Sequence, residues 1–456
     1  MAESSYDCIV IGSGPGGYVA AIRASQLGMK TAVVEKDAIG GRCLNYACIP
    51  AKAVLRVADV MSEVRHAGDF GIEVAEPSVN FAGVEAHRDK VIKTLTSGVS
   101  MLLKKNNCDV IEGEASLTKD GKVKVGSDVI EAKTILIATG SVAKPLFGLE
   151  FGDRVLDTQG AWLLHEQPAK LAVVGAGASG TEIASAYGRL GTEVVLLEAL
   201  PQILPLEDED IARACAREIA KQNVKIVTGA NISNVDAGKK SVKIDWGEGA
   251  QEFDYVCIAA GRAPDAEALN LSELGIETDE RGMIKVDGHQ KTSRDGIYAI
   301  GDIVPGPALA HKASEEGVIA MEAAAGQNPH PLDHSAIPAA TFCYPQVASF
   351  GLTEKAAREA GYDVVVGKVP MGAVGAPTVY GDRGGMIKIV GDKQYGELLG
   401  AHILSAKAAD LIEELVVAKE LEGGYPEVAR TIHPHPAFAE AVLEAARATD
   451  GWLIHG

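Results

Sequence analysis

Short, unbroken apolar runs alternate with helix-like stretches along the chain. Tyr6-Asp7-Cys8-Ile9-Val10-Ile11 is one such run, and it predicts a buried β-strand. It leads into Gly12-Ser13-Gly14-Pro15-Gly16-Gly17 and then into Tyr18-Val19-Ala20-Ala21-Ile22-Arg23-Ala24, which reads as a helix. A second strand, Thr31-Ala32-Val33-Val34, ends in Glu35. The same succession recurs later. Ala169-Lys170-Leu171-Ala172-Val173-Val174 runs into Gly175-Ala176-Gly177-Ala178-Ser179-Gly180, then a helix predicted from Thr181 to about Leu190. The strand Glu193-Val194-Val195-Leu196-Leu197 follows and ends in Glu198. Two more apolar segments run into glycines, one from Thr134 to Gly140 and one from Cys257 to Gly261. From about residue 333 the pattern changes.

A chain of 456 residues is too long for one hydrophobic core, so two to four domains are expected. With 47% hydrophobic and 23% charged residues it reads as a globular protein. Its 51 glycines exceed the usual share of roughly 7%, because many sit in the strand–turn–helix junctions. The net charge of −19 repels nucleic-acid phosphates and anionic lipid, which argues against both as partners. No apolar run reaches the roughly 18–20 residues of a membrane span. The opening Met1-Ala2-Glu3-Ser4-Ser5-Tyr6-Asp7 lacks a basic segment followed by an apolar one, so a cytoplasmic location is expected.

The two glycine turns carry the spacing G-x-G-x-x-G, at Gly12, Gly14 and Gly17 and again at Gly175, Gly177 and Gly180. The first glycine allows a tight turn, the second lets the backbone approach a pyrophosphate, and the third lets helix and strand pack closely. The helix N-terminus offers free N–H groups to phosphate. Glu35 and Glu198 each close the next strand, about 20 residues beyond the first glycine, where a carboxylate holds a ribose 2′-hydroxyl. Glu198 repels a 2′-phosphate, and Ala199-Leu200-Pro201 supplies no arginine for one, so NAD is favoured over NADP there. Two such units imply two dinucleotides.

Seven cysteines are too few and too odd for a secreted disulfide framework. Cys8, Cys108, Cys215, Cys257 and Cys343 stand alone in the sequence and read as packed thiols. Cys43 and Cys48 lie close together in Gly40-Gly41-Arg42-Cys43-Leu44-Asn45-Tyr46-Ala47-Cys48-Ile49-Pro50-Ala51-Lys52. A disulfide needs Cα atoms about 4.4–6.8 Å apart, whereas this spacing covers about 7.5 Å along a regular helix axis. The segment must therefore be bent. Thiols near a helix N-terminus are expected to have lowered pKa values. Two free cysteines or a zinc half-site are the alternatives, although no second cysteine pair completes a zinc site and no metal is expected. Near the C-terminus, Pro436 suits the first turn of a helix with Glu440 one turn on. A carboxylate there can grip one nitrogen of His435 and leave the other free for acid–base work.

The cysteine segment, set just after the first glycine turn, resembles that of the pyridine nucleotide–disulfide oxidoreductases. The resemblance covers essentially the whole chain. It implies an α/β fold with two Rossmann-like dinucleotide-binding domains, for FAD and NAD, and a C-terminal α+β dimerisation domain. The implied boundaries are 1–142 (FAD, first part), 143–261 (NAD), 262–332 (FAD, second part) and 333–456 (dimerisation). Cys43 is then the sulfur that exchanges with substrate, Cys48 lies against the flavin, and Lys52 sits near its reactive nitrogen, paired with Glu182. Gly140 and Gly261 close the two dinucleotide domains, Asp302 binds the ribityl chain, and Ala310 lies in Leu309-Ala310-His311-Lys312-Ala313 beside the flavin. The implied partner-subunit base is His435, oriented by Glu440, so the active form is a homodimer; His433 reads as structural or secondary.

The resemblance also implies a reaction: a protein-borne dihydrolipoyl dithiol is oxidised through Cys43 and Cys48, and hydride passes to NAD⁺. A 2-oxoacid dehydrogenase or glycine-cleavage complex is the implied source of the lipoyl protein. The alternatives are a glutathione-, trypanothione- or mercuric-type reductase, or a flavoprotein that only senses redox state. Arg42, Tyr46, Ala47 and Ala51 depart from the commonest family form, as does Ser405-Ala406-Lys407-Ala408-Ala409-Asp410. The cysteines themselves match.

Overall fold

In the computed structural model, which describes residues 5–247 and 249–456, the first apolar run becomes strand β1 (Ser5–Ile11). Its side chains divide between two buried faces. Ile9 and Ile11 pack with Ala32, Val34, Ile135 and Ile137 on one face. Cys8 and Val10 pack with Val33, Leu136, Ala20, Ala21 and Ala24 on the other. Burial on both sides is the reason the run shows no polar alternation. The expectation about an N-terminal leader falls mainly on residues 1–4, which lie outside the described residues.

β1 pairs in parallel with β2 (Thr31–Glu35) and with Asp128–Ile137, Ile11 standing opposite Val34 and Ile137. Asp109–Glu112 extends the sheet beyond β2, and Ile297–Ala299 joins Asp128–Ile137, again in parallel. Val123–Val125 and Ala115–Leu117 complete it as antiparallel strands. Helix α1 (Pro15–Gln26) connects β1 to β2 and packs closely against Ala310–Ala324. Glycine permits that approach: a methyl group on Gly16 would lie 2.8 Å from the Ala313 carbonyl oxygen. These elements form one compact unit of Met1–Ala53, Glu85–Lys144 and Gly261–His334. The chain leaves this unit and returns to it, because Ile297–Ala299 pairs with a strand more than a hundred residues earlier.

The second unit comprises Val54–Val84, Pro145–Ala260 and Ser335–Gly456. Its parallel sheet has the order Val224–Thr228, Glu193–Glu198, Lys170–Val174, Tyr255–Ile258, Val155–Leu156. The helix predicted from Thr181 begins earlier, at Ala178, and ends at Leu190. Gly177 is its N-cap, so Gly180 lies inside the first turn rather than in the loop before it. The C-terminal part is a five-stranded antiparallel sheet: Ala339–Thr341, Gln346–Gly351, Leu398–Ser405, Met386–Asp392, Val364–Pro370. Helices Ala408–Glu420 and Glu440–Thr449 cover it, burying Ile387, Ile389, Ile403, Ile412, Leu415 and Val442 in one core. Each such aliphatic side chain contributes about 1.5–3 kcal/mol by leaving water. Lys388 is buried here too, its Nζ 2.8 Å from Asp208 and 2.9 Å from both Asp210 and Glu354. Among the described residues no helix is long and apolar enough to cross a membrane.

Candidate active site

The two glycine turns are built alike. Gly12 and Gly175 have φ of 100° and 97°, a left-handed conformation that glycine adopts without steric cost. A methyl group on Gly17 would lie 1.9 Å from the Gly12 carbonyl oxygen, and one on Gly180 would lie 1.9 Å from that of Gly175. The middle glycines differ from both: around Gly14 and Gly177 nothing comes within 4 Å of such a methyl. Helices α1 and Ala178–Leu190 start at these open positions, and neither has a side-chain cap. Their first-turn N–H groups are the donors a pyrophosphate takes up. The residues present therefore fit two dinucleotides.

The carboxylates behind the turns are tied into them, a role their sequence positions do not reveal. Glu35 accepts from the Ser13 N–H (2.9 Å) and Ser13 Oγ (2.6 Å) with one oxygen, and from the Asp37 N–H (3.0 Å) with the other. Glu198 accepts from the Ala176 N–H (2.7 Å) and the Leu200 N–H (2.9 Å) in the same way. Each acid is thus fixed in position behind its turn.

The cysteine segment is bent, as the spacing requires. Helix α2 (Gly41–Asn45) stops at Tyr46, whose φ is −133°, and α3 (Cys48–Arg65) starts afresh at Cys48. Asn45 stabilises the bend by donating to the carbonyl oxygens of Ile39 (3.1 Å) and Gly41 (2.9 Å). Gly41 is pressed onto the phosphate turn: a methyl there would lie 2.7 Å from Gly14 Cα. The two sulfurs are not joined as a disulfide. The expectation of lowered thiol pKa values is corrected at Cys43. Its hydrogen bond with Cys48, burial and the charge of a Cys48 thiolate push it up, while Lys52 pulls the other way. Tyr46, in the bend, is pushed up to about 12 by burial, its hydrogen bond to Asp37 and the nearby Asp37 and Glu35 carboxylates.

The segments that follow Gly140 and Gly261 come together. Ser141–Ala143 pairs antiparallel with Arg262–Pro264, the Asp265 N–H donates to the Gly140 carbonyl oxygen (2.9 Å), and the Lys144 N–H donates to that of Gly261 (3.2 Å). Asp302 accepts from Ser141 Oγ (2.5 Å) and lies 3.2 Å from Arg262 Nη1. A buried pair absent from the sequence reading holds its turn. Glu316 accepts from the Gly301 N–H (2.8 Å) and from Lys312 Nζ (2.8 Å), and Lys312 also donates to the Gly301 carbonyl oxygen (3.2 Å). Burial raises the Glu316 carboxyl, against the pull of Lys312 and the Gly301 N–H. Ala310 opens the following helix, and His311 is exposed.

In the second unit, Glu182 is 5% exposed and accepts from the Phe342 N–H (2.8 Å). His435 Nδ1 meets Glu440 Oε1 at 2.9 Å, and the His435 side chain is 76% exposed. Burial raises the Glu440 carboxyl, but the Ala437 N–H (2.9 Å) and His435 outweigh it and hold the group below the ordinary range. The placing of Pro436 in a first helical turn is corrected. The helix begins at Glu440, whose carboxylate takes up the Ala437 N–H ahead of it. The His433 side chain is buried, with Nε2 2.6 Å from Glu414 Oε1, and Glu414 raises its pKa. One pairing lies outside the sequence reading altogether. Cys215 and Cys343, which stand alone in the sequence, face each other at 3.9 Å between sulfurs.

Cradles for two dinucleotides, a dithiol seated on one of them and an imidazole held by a carboxylate define a flavin-dependent disulfide oxidoreductase as a class. Residues 6–317 match the family described as pyridine nucleotide-disulphide oxidoreductase, and residues 337–446 match its dimerisation domain. The chain belongs to the pyridine nucleotide-disulphide oxidoreductase family. A dihydrolipoyl dehydrogenase of Rhizobium etli is 43% identical, with all of both chains covered. Another from Bacillus subtilis is 42% identical, covering 98% of this chain and 97% of the relative. Among solved structures, LpdA from Mycobacterium tuberculosis matches with a TM-score of 0.90 at 26% identity, covering 96% of this chain and 99% of that one. The flavoprotein disulfide reductase RclA from Escherichia coli matches at 0.86 and 27%, covering 97% and 99%. Dihydrolipoyl dehydrogenases use FAD and NAD(H).

Proposed function

We propose that this chain oxidises dihydrolipoyl groups carried on a protein and delivers the electrons to NAD⁺. The observation that carries the reading is the Cys43/Cys48 pair, bent into reach and seated by Gly41 on the Gly14 turn; full-length similarity to dihydrolipoyl dehydrogenases supports it. A substrate thiolate attacks Cys43 Sγ of the Cys43–Cys48 disulfide and expels Cys48 as thiolate. Cys48 stands at the start of α3, where the helix dipole favours negative charge. His435 Nε2 takes the proton of the second substrate thiol, which then attacks the mixed disulfide. The substrate leaves as a cyclic disulfide, and its two electrons remain in the Cys43/Cys48 dithiol. FAD and NAD⁺, when bound, carry that electron pair onward as hydride.

Glu440 holds Nδ1 of His435 so that Nε2 faces the sulfur. Lys52 pairs with Glu182 and positions the flavin side of the site. Glu35 and Glu198 accept from the adenosine riboses, Gly12, Gly14, Gly17, Gly175, Gly177 and Gly180 shape the phosphate cradles, and Gly140, Gly261, Asp302 and Ala310 line the cofactor sites. His435 of the partner subunit serves Cys43, so the working form is a homodimer; the match to a dimerisation domain supports this. The domain division at 142, 261 and 332 is part of the proposal, as are a cytoplasmic setting and a lipoyl-bearing partner from a 2-oxoacid dehydrogenase or glycine-cleavage complex.

The test is dihydrolipoamide oxidation with NAD⁺ by FAD-loaded protein, beside Cys43→Ser. NADH formation that is lost in the variant supports the reading. No turnover of dihydrolipoamide, together with NADPH-driven reduction of another disulfide, refutes the substrate.

A further inference from the structure

Five cysteines lie outside the Cys43/Cys48 pair, and three have a packing role in sight. Cys8 lies against the Met321 sulfur, Cys108 donates to the Ala21 carbonyl oxygen and Cys257 to that of Asp157. Cys343 also donates to a carbonyl oxygen, that of Pro345 (3.2 Å), but it and Cys215 differ from the other three in facing each other. Their sulfurs are 3.9 Å apart across 128 positions of sequence, and the residues are 0% and 1% exposed. Cys215 is carried by the helix Glu209–Ile219. Cys343 lies between the strands Ala339–Thr341 and Gln346–Gly351, in a link fixed on both sides. The Phe342 N–H donates to Glu182, the Tyr344 N–H donates to Ser185 Oγ (3.1 Å), and Gln222 Nε2 donates to the Tyr344 carbonyl oxygen.

We propose that Cys215 and Cys343 are a second redox site, one that an external peroxide converts to a disulfide. Forming the bond means closing the sulfurs from 3.9 Å to about 2.0 Å. One sulfur attacks a peroxide oxygen, the O–O bond breaks, and a sulfenic acid and water form. The other thiol then attacks that sulfur, the S–O bond breaks, and a second water leaves with the last thiol proton. Two thiols and one hydrogen peroxide give one disulfide and two waters, the thiols losing two electrons to the peroxide. Burial and the neighbouring sulfur hold the Cys343 thiol in its protonated form, so reaction waits on local opening and is slower than at Cys43 and Cys48. The product ties the helix after the second dinucleotide strand to the C-terminal sheet, and closes a large loop that constrains the unfolded chain.

The experiment treats the FAD-loaded full chain with hydrogen peroxide, blocks remaining thiols with iodoacetamide during unfolding, and maps peptides by mass spectrometry without reduction. The expected result is a cross-linked peptide containing Cys215 and Cys343. It appears after the Cys43–Cys48 disulfide, is lost on dithiothreitol treatment, and comes with a higher unfolding midpoint. Cys215→Ala leaves Cys343 open to alkylation and abolishes the midpoint shift. Recovery of both residues as alkylated thiols, or as separate sulfinic acids, after Cys43 and Cys48 are fully oxidised overturns the proposal. The mapping on the parent protein decides this even if the alanine variant fails to fold.

Discussion

Alanine at Gly177 separates stability from cofactor affinity. Gly177 has φ −68° and ψ −174°, which any residue adopts, and a methyl group there meets nothing within 4 Å. The unfolded chain loses conformational freedom, so Gly177→Ala gains about 0.4–1 kcal/mol of stability. The methyl nevertheless fills the space through which a pyrophosphate reaches the N–H groups at the start of Ala178–Leu190. Losing one hydrogen bond to a charged oxygen costs about 1.5–3 kcal/mol, which is a roughly ten- to hundredfold weaker Kd. Gly180→Ala gives the opposite sign for stability: its methyl would lie 1.9 Å from the Gly175 carbonyl oxygen, and such overpacking costs about 1–3 kcal/mol or more. Thermal unfolding of the FAD-loaded proteins, together with fluorescence titration by NADH, reads both quantities. Gly177→Ala that binds NADH as tightly as the parent, or melts below it, refutes the reasoning.

Four further outcomes follow from other parts of the structure. Lys388→Met leaves the buried Asp208 carboxylate without its cation and costs about 3–5 kcal/mol in urea denaturation. The Asp210 carboxyl, held down to about 2 by Lys368 and Lys388, contributes stability above its unfolded value of about 3.9, and that contribution disappears as pH falls through about 2 in acid titrations followed by circular dichroism. His433 has a pKa raised by Glu414, so its contribution is full below its unfolded value of about 6.5 and is lost as pH rises through the folded value; the margin of the parent over Glu414→Gln in urea midpoint shrinks accordingly. His435→Gln lowers kcat for dihydrolipoamide oxidation by about 10²–10⁴-fold with flavin content unchanged, as measured by NADH formation and flavin absorbance.

The parallel strands and glycine turns are legible in the sequence for a physical reason. A strand covered on both faces must be apolar throughout, as Cys8–Ile11 and Leu171–Val174 are, and a phosphate turn must place glycine where backbone touches backbone. What escaped depends on tertiary contact. The helix at Glu440 starts later than Pro436 suggests, and the Glu440 carboxylate, three residues after Ala437, takes up the Ala437 N–H. The direction of the Cys43 shift is set by a neighbouring sulfur, not by a helix end. Lys312 and Glu316 look like an ordinary exposed pair one turn apart, and only the fold shows that they are buried under Gly301. The Cys215–Cys343 encounter has no local signature, since docking of one element on another creates it.

Gly41 presses on Gly14, and this contact makes the redox loop and the phosphate cradle a single inherited part. A substitution that reshapes the cradle is felt at the cysteines, and one that enlarges the cysteine loop at that point intrudes on the cradle. The two can drift only together, which restricts the evolutionary routes by which this chain could acquire a different flavin-site geometry while keeping its thiol chemistry.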